Sequence, residues 1–309
     1  MSECRSVWAS EGDLVRLHAR RPTPLAEVAV GRVHLKIDLF RTRDHVPDFD
    51  NRVLEYRRLS AETRNELQVI ADLPYGPAPG QRLDLFVPTS ASSAKRVDLP
   101  VHIFIHGGYW RMFSKDDFSF VARTAVAAGA IAVVLDYDLM PSVRLAEVVR
   151  QVRGARTWVS ENIHLYGGDA SRLTVSGHSA GAHLATFLLT EGEEMPPRGA
   201  LLLGGVYNLR PLRQSFLQPL IQLTDDEVCQ FSPIDKHFQP RVNTVILYGE
   251  RETLPFHAQA GGLSWQIKEA GCDVSLSALT KADHMSSVLD LGFSEREAGA
   301  QLFSLISRH

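Results

Sequence analysis

The stretch that decides the fold is "RLTVSGHSAGAHLATFLL", residues 172–189. Its first five residues alternate as a buried strand does, and its last eight carry helix-forming apolar residues. Between them stands Gly-His-Ser-Ala-Gly, a Gly-x-Ser-x-Gly pattern set between a strand and a helix. A serine on so sharp a bend needs a strained backbone, and side chains at the flanking positions would collide, so Gly177 and Gly181 relieve the crowding. The reading leaves the Ser179 hydroxyl at the head of a helix, where the helix amino terminus and the N–H of Ala180 favour negative charge. The five-residue pattern alone is equally compatible with a Gly-Ser turn of no consequence. Its strand and helix make it a candidate nucleophile.

A serine hydroxyl attacks poorly unless a base takes its proton and an acid holds that base in the right tautomer. On such a bend the chain order is serine, then Asp or Glu, then histidine. "TVILYGERETLPF" (244–256) runs from a strand into a turn with two carboxylates, and "LTKADHMSS" (279–287) follows the last expected strand. Of the twelve histidines, His284 combines this order with a loop after a strand. Glu252 is preferred as the acid, because the turn must leave the sheet before a carboxylate can point back. Glu250 is the runner-up, and Asp225 and Asp226 stand further upstream. Asp283 adjoins His284 and is read as a loop support. His178 and His183 flank the serine too closely to reach its hydroxyl and are read as packed or hydrogen-bonded supports.

Attack on a carbonyl leaves an oxyanion that needs donors about 3 Å away, and the usual second source is the loop after the third strand. Here that loop is "HGGYW" (106–110). Two glycines let the main chain present N–H groups with no Cβ in the way. Gly108 and Tyr109, joined by Ala180, are the expected donors; His106 is expected to brace the loop and Trp110 to pack beneath it. Phosphate cradling fits poorly, since no Gly-x-x-x-x-Gly-Lys pattern is present. A hairpin turn without function is the plainer alternative.

Outward from these motifs, short apolar runs alternate with helical patterns. Strands are expected at 82–88, 100–106, 130–137, 199–206, 244–250 and 273–279, besides the one in the opening stretch. Helices are expected at 116–129 with a left-handed cap at Gly129, at 142–163 with Val148, Val152, Ala155 and Val159 on one stripe, near 257–270, and from about 286 onward. Alternation of this kind implies an α/β protein with a mostly parallel sheet covered on both faces. Residues 207–240 break the rhythm with prolines and read as a small inserted cap over the carboxyl edge of the sheet. Residues 87–100 read as a polar surface loop between strands. Residues 1–40 form an amino-terminal segment of unknown role, and 41–309 one domain.

At 44% hydrophobic and 22% charged residues, the 309-residue chain has the means to bury a sizeable core. A net charge of −3 gives no electrostatic footprint for nucleic acid. The start of the chain lacks the apolar run of a secretory signal, and nowhere do about 18 apolar residues follow one another. A cytoplasmic protein without membrane association is expected. Cys4, Cys229 and Cys272 are too scattered for a disulfide framework or a zinc site, so inert thiols, no metal and no organic cofactor are expected. Self-association is left open.

Taken together, "HGGYW", "GHSAGAHL", "GERE" and "DHM" resemble the arylformamidase (kynurenine formamidase) branch of the α/β-hydrolases. Residues 40–60, "FRTRDHVPDFDNRVLEYRRLS", and 75–88, "YGPAPGQRLDLFVP", are similar to segments that precede the motif in bacterial members. The resemblance runs from about residue 40 to the end. It implies an α/β-hydrolase fold, an oxyanion hole at Gly108 and Tyr109, and hydrolysis of an N-formylkynurenine-type aryl formamide, a step of tryptophan catabolism, with no cofactor. At the position of Glu252 the branch often carries aspartate. Related sequences include esterases, so a carboxylesterase acting on small or aryl esters is the alternative, and a binding-only member of the fold is a third. Aromatic residues such as Tyr109, Phe216 and Phe231 could wall the substrate, although core packing explains them equally well.

Overall fold

The computed structural model describes residues 37–89, 98–190 and 195–308. Cys4, residues 1–36 of the amino-terminal segment and most of the 87–100 loop lie outside the described residues.

Eight strands form one sheet: β1 (Gln68–Pro74), β2 (Arg82–Val87), β3 (Leu99–Ile105), β4 (Ile131–Leu135), β5 (Gly168–His178), β6 (Gly199–Leu203), β7 (Asn243–Gly249) and β8 (Val274–Leu279). Their order is β1-β2-β4-β3-β5-β6-β7-β8. β2 runs antiparallel to both neighbours, and from β4 to β8 every pairing is parallel. This is the α/β-hydrolase fold, mostly parallel with helices on both faces.

Side chains of a strand point alternately to the two faces, so a sheet buried on both sides reads as continuous apolar runs. In β3, Val101, Ile103 and Ile105 join one core while Phe104 joins the other. β4 divides in the same way, Ile131, Val133 and Leu135 against Ala132 and Val134. The first core is closed by helices Leu145–Asn162 and Leu254–Glu269, the second by helices Phe49–Glu66 and Glu297–Ser307. Helix Leu145–Asn162 presents the expected stripe, with Val148, Val152, Ala155 and Val159 all fully buried.

Several expectations are corrected. The helix expected over 116–129 is three pieces, Lys115–Phe118, a 3-10 turn Ser119–Val121 and Ala122–Ala127, with Gly129 beyond them at φ +81°. The closing helix likewise divides into His284–Leu289 and Glu297–Ser307 around a 3-10 turn. Helix Phe49–Glu66 and strand β1 had no counterpart in the expected elements. Between β6 and β7 the chain forms helices Gln218–Ile221 and Asp225–Phe231 with 3-10 turns Arg210–Gln214 and Pro233–Asp235. Thr224 and Glu227 close a reciprocal capping box on the second of these helices.

Candidate active site

Ser179 stands between β5 and helix Ala180–Thr186 at φ +56° and ψ −118°, a conformation few L-residues adopt. The turn closes so tightly that a Cβ on Gly177 would lie 2.3 Å from the carbonyl of Gly181. One on Gly181 would lie 2.0 Å from the carbonyl oxygen of Ile105, at the end of β3. Only glycine fits either place. The helix that starts at Ala180 is therefore pressed directly onto the strand that leads into the donor loop.

Glu252 and His284 come from the next strand ends. The Glu252 N–H donates to Gly249 O across the turn after β7 (3.0 Å), and this turn brings its side chain inward. His284 begins the helix after β8. Its Nδ1 lies 3.2 Å from Glu252 Oε1, with both side chains buried. The ring is held against Phe256 at 4.5 Å and His178 at 4.7 Å between centroids. Gly204, after β6, has φ +54°, and a Cβ there would sit 2.7 Å from Glu252 Oε1 and 3.3 Å from His284 Nδ1. The Ser179 N–H in turn donates to the carbonyl of Leu203, the neighbour of Gly204, at 2.8 Å. Glu252 and His284 are in contact, and Ser179, Glu252 and His284 follow the carboxyl ends of β5, β7 and β8 in one parallel array.

The other carboxylates are engaged elsewhere. Glu250 Oε2 accepts the backbone N–H of Lys281 (2.7 Å) on the exposed side of the turn. Asp283 caps the helix behind its neighbour, accepting from Met285 N and Ser286 N at 2.9 and 2.8 Å. Asp225 pairs with Arg213 and Asp226 is exposed.

The donor loop is held by its main chain. Gly108 has φ +107°, and Tyr109, Trp110 and Phe113 follow at +51°, +60° and +71°. A Cβ on Gly107 would lie 3.1 Å from Ser179 Cβ, so the loop passes right beside Ser179. Arg111 N and Met112 N both donate to Gly108 O at 3.0 Å, folding the loop on itself. His106 is buried and stacked on Tyr137 at 4.4 Å; its Nδ1 lies 2.8 Å from Gly107 O, and the Tyr137 hydroxyl donates to the His106 carbonyl at 3.0 Å. Trp110 is fully buried, and its indole N–H donates to His183 Nδ1 at 3.2 Å.

The two histidines flanking the serine are supports of opposite sides. His183 accepts from Trp110, so its proton is on Nε2, which donates to Phe231 O at 2.8 Å. His178 Nε2 donates to the His284 carbonyl at 2.9 Å. Burial pushes the His183 imidazole down to about 4 and outweighs the opposing Phe231 contact. Burial, reinforced by the nearby His284, holds His178 well below its ordinary range. Both are neutral near pH 7. Of the proposed aromatic wall, Phe216 packs edge-on against Tyr109 at 5.7 Å, whereas Phe231 is a core residue against Phe187 at 5.9 Å.

Sequence reasoning missed Phe256 and Gly204, and it marked residues 40–60 as a family-like segment without giving them a place at the site. Phe256 lay in view within the 244–256 stretch, one helical turn past Glu252, where a ring can back the histidine. Gly204 is one of two adjacent glycines after a strand, the same signal as at 107–108. Residues 39–46 carry no periodicity that would mark them.

A family model described as alpha/beta hydrolase fold matches residues 102–239. Kynurenine formamidase of Danio rerio is 31% identical over 238 residues, which cover 74% of this chain and 78% of that protein. The chain belongs to the kynurenine formamidase branch of the α/β-hydrolases. It is a hydrolase. Esterase LipQ of Mycobacterium tuberculosis is 28% identical over 254 residues, 74% of this chain and 58% of that protein. Among solved structures, the hyperthermophilic esterase from Pyrobaculum calidifontis superposes with a TM-score of 0.64 at 21% identity, covering 88% of this chain and 94% of that one. At that identity the likeness is one of fold.

Among the described residues no group of three His, Cys, Asp or Glu side chains could hold a metal ion, and no helix is long and apolar enough to cross a membrane.

Proposed function

We propose that this chain is a serine hydrolase that removes a formyl group from an arylamine of the N-formylkynurenine type through an acyl-enzyme. The observation that carries the reading is the buried Glu252 Oε1 contact to His284 Nδ1 at 3.2 Å, beside the strained turn of Ser179. A carboxylate on Nδ1 fixes the tautomer that leaves Nε2 free to act as base and stabilises the imidazolium that forms.

Ser179 Oγ attacks the formyl carbon as His284 Nε2 takes its proton. The C=O electron pair moves to oxygen, and the N–H groups of Gly108, Tyr109 and Ala180 receive the oxyanion. Collapse breaks the C–N bond while His284 returns the proton to the departing arylamine. Water, deprotonated by the same imidazole, then attacks the formyl ester, and formate leaves as Ser179 regains its proton. An aryl ring delocalises charge on the leaving nitrogen, so such amides part more readily than alkyl amides. Residues 207–240 overhang this edge as a small cap, and the reaction is placed in the cytoplasm, in tryptophan catabolism.

The similarity to esterase LipQ supports a second reading, a carboxylesterase of small or aryl esters. Kinetics separate the two. For purified protein, kcat/KM with N-formylkynurenine is expected to exceed that with p-nitrophenyl acetate by at least about tenfold. Equal or reversed preference assigns the esterase activity instead.

A further inference from the structure

Residues 39–41 precede every motif, yet they touch both sides of the site. On the histidine side, Thr253, next to Glu252, donates its hydroxyl to the Leu39 carbonyl at 2.6 Å. The Phe40 ring meets Phe256 edge-on at 5.9 Å, and Phe256 is the ring that backs His284 at 4.5 Å. On the donor-loop side, the Tyr109 hydroxyl donates to the Phe40 carbonyl. The Arg41 guanidinium lies 5.0 Å above the Phe216 ring, which itself stands edge-on to Tyr109 at 5.7 Å. Residues 39–41 therefore link the ring that backs His284 to the loop that passes beside Ser179.

Arg41 ends this bridge in a loose ion pair. Among the described residues its partner is Asp44, whose Oδ2 lies 3.8 Å from Arg41 Nε, beyond hydrogen-bond length, and both side chains are half exposed. By contrast, Arg43 two residues on is committed to Asp50 at 2.7 Å. A guanidinium held over an aromatic ring can still turn a pair of N–H donors to a carboxylate in two-point fashion. An aryl ring lying along Tyr109 and Phe216 would carry any acidic side arm toward that edge.

We propose that residues 39–41 form a wall of the substrate chamber and that Arg41 is a subsite for a carboxylate on the leaving arylamine. The proposal rests on the acyl-transfer reading of the site. It goes further in assigning selectivity for carboxylate-bearing aryl substrates to a residue outside the hydrolase motifs. Arg41 acts on binding and not on the reacting atoms, so its effect belongs in KM.

The test is a matched pair: N-formylkynurenine, and 2-formamidoacetophenone, which keeps the ring, ketone and formamide but lacks the amino-acid arm. Arg41→Gln retains a planar group over Phe216 without the charge. It is expected to raise KM for N-formylkynurenine about tenfold, with kcat within about twofold, and to leave 2-formamidoacetophenone unchanged. Arg41→Lys restores part of the loss, and added salt shrinks the wild-type preference. A penalty of equal size on both substrates, or no penalty, overturns the subsite. A second arm keeps this outcome separate from failure of the formamidase reading. Phenyl acetate and 3-acetoxybenzoate form a neutral and anionic ester pair, and calorimetry of kynurenine against 2-aminoacetophenone reads binding without turnover. If formamides are not cleaved but Arg41→Gln abolishes selective binding of the acid, the formamidase reading falls and the subsite stands. If wild-type protein favours the carboxylate-bearing member in none of the three pairs, the subsite falls.

Discussion

On one side of Ser179, residues 106–113 keep their shape through the main chain, with Gly108, Tyr109, Trp110 and Phe113 all at positive φ. On the other, Glu252 and His284 are held by side chains: one polar contact, two flanking rings and the His178 donation to a carbonyl. The difference follows from what each side has to supply. In the proposed reaction the oxyanion donors are backbone N–H groups, which can be aimed only by fixing φ and ψ; the loop holds several residues at positive φ and is braced by His106, Tyr137 and the Trp110–His183 bond. A proton acceptor is a side-chain atom, and packing with one hydrogen bond suffices to aim it. Substitution should therefore damage the imidazole side through chemistry at little cost to folding, and the donor side through both at once.

The largest effect expected is on Ser179→Ala and His284→Ala, each lowering kcat by roughly 10⁴ to 10⁶-fold while the thermal midpoint of Ser179→Ala stays close to wild type. Retained turnover in either variant removes this assignment. Next, Glu252→Gln should lower kcat by roughly 10³-fold or more through loss of tautomer control, whereas Glu250→Gln, which alters an exposed bond to Lys281, stays within about twofold. The reverse ranking moves the acid. On the donor side, Gly108→Ala introduces a Cβ 2.3 Å from Met112 O at φ +107°. It is expected to cost roughly 10²-fold in kcat and roughly 1–3 kcal/mol of stability together. Loss of one without the other, measured by kinetics and denaturant titration, would contradict the contrast between the two sides.

A smaller effect is read in pH. An unfolded histidine takes up its proton near 6.5, whereas His183 does so in the fold only at about 4. As pH falls, the unfolded chain binds the proton first. The stability contribution is complete above about pH 6.5 and is lost progressively toward pH 4. His102, pushed by burial to about 3 between Thr174 and Ser176, follows the same rule over a wider window. Each such histidine adds up to about 1.4 kcal/mol of destabilisation per pH unit in this range. His183→Gln should flatten the slope of denaturation free energy between pH 6.5 and 5 and, by freeing Trp110, lower kcat a few-fold. An unchanged slope would mean that His183 titrates alike in both states.

How much of this was legible in the sequence tracks the same contrast. Strained turns announce themselves, because the glycines at 107, 108, 177 and 181 meet backbone or a neighbouring side chain where a Cβ would go. Short apolar or alternating runs marked β2 to β8; burial on both faces makes them continuous in β3, β4, β6 and β7, whereas the edge strand β8 was marked by turn residues and alternation despite mostly exposed side chains. Strand β1 escaped notice because it is an edge strand with mostly exposed or half-buried side chains, and helix Phe49–Glu66 because it is polar with only Phe49, Tyr56, Leu59, Ser60 and Thr63 buried. The Thr224 and Glu227 capping box was a written signal within 207–240 that composition masked. Glu252 and Glu250 could be ranked but not separated, as they differ by two positions on one turn and only the turn geometry decides which carboxylate faces His284. Residues 39–41 reach the site by single contacts from distant parts of the chain, which leave no pattern along the sequence.

The methyl-sized gap missing between Gly181 and Ile105 has a bearing on how such a catalyst could diversify. The contact behind Ser179 is main chain against main chain, so no point substitution there can enlarge or reshape it without parting strand from helix. New substrate tastes must be drawn from the walls and roof, and duplicated copies of this gene would be expected to drift there first.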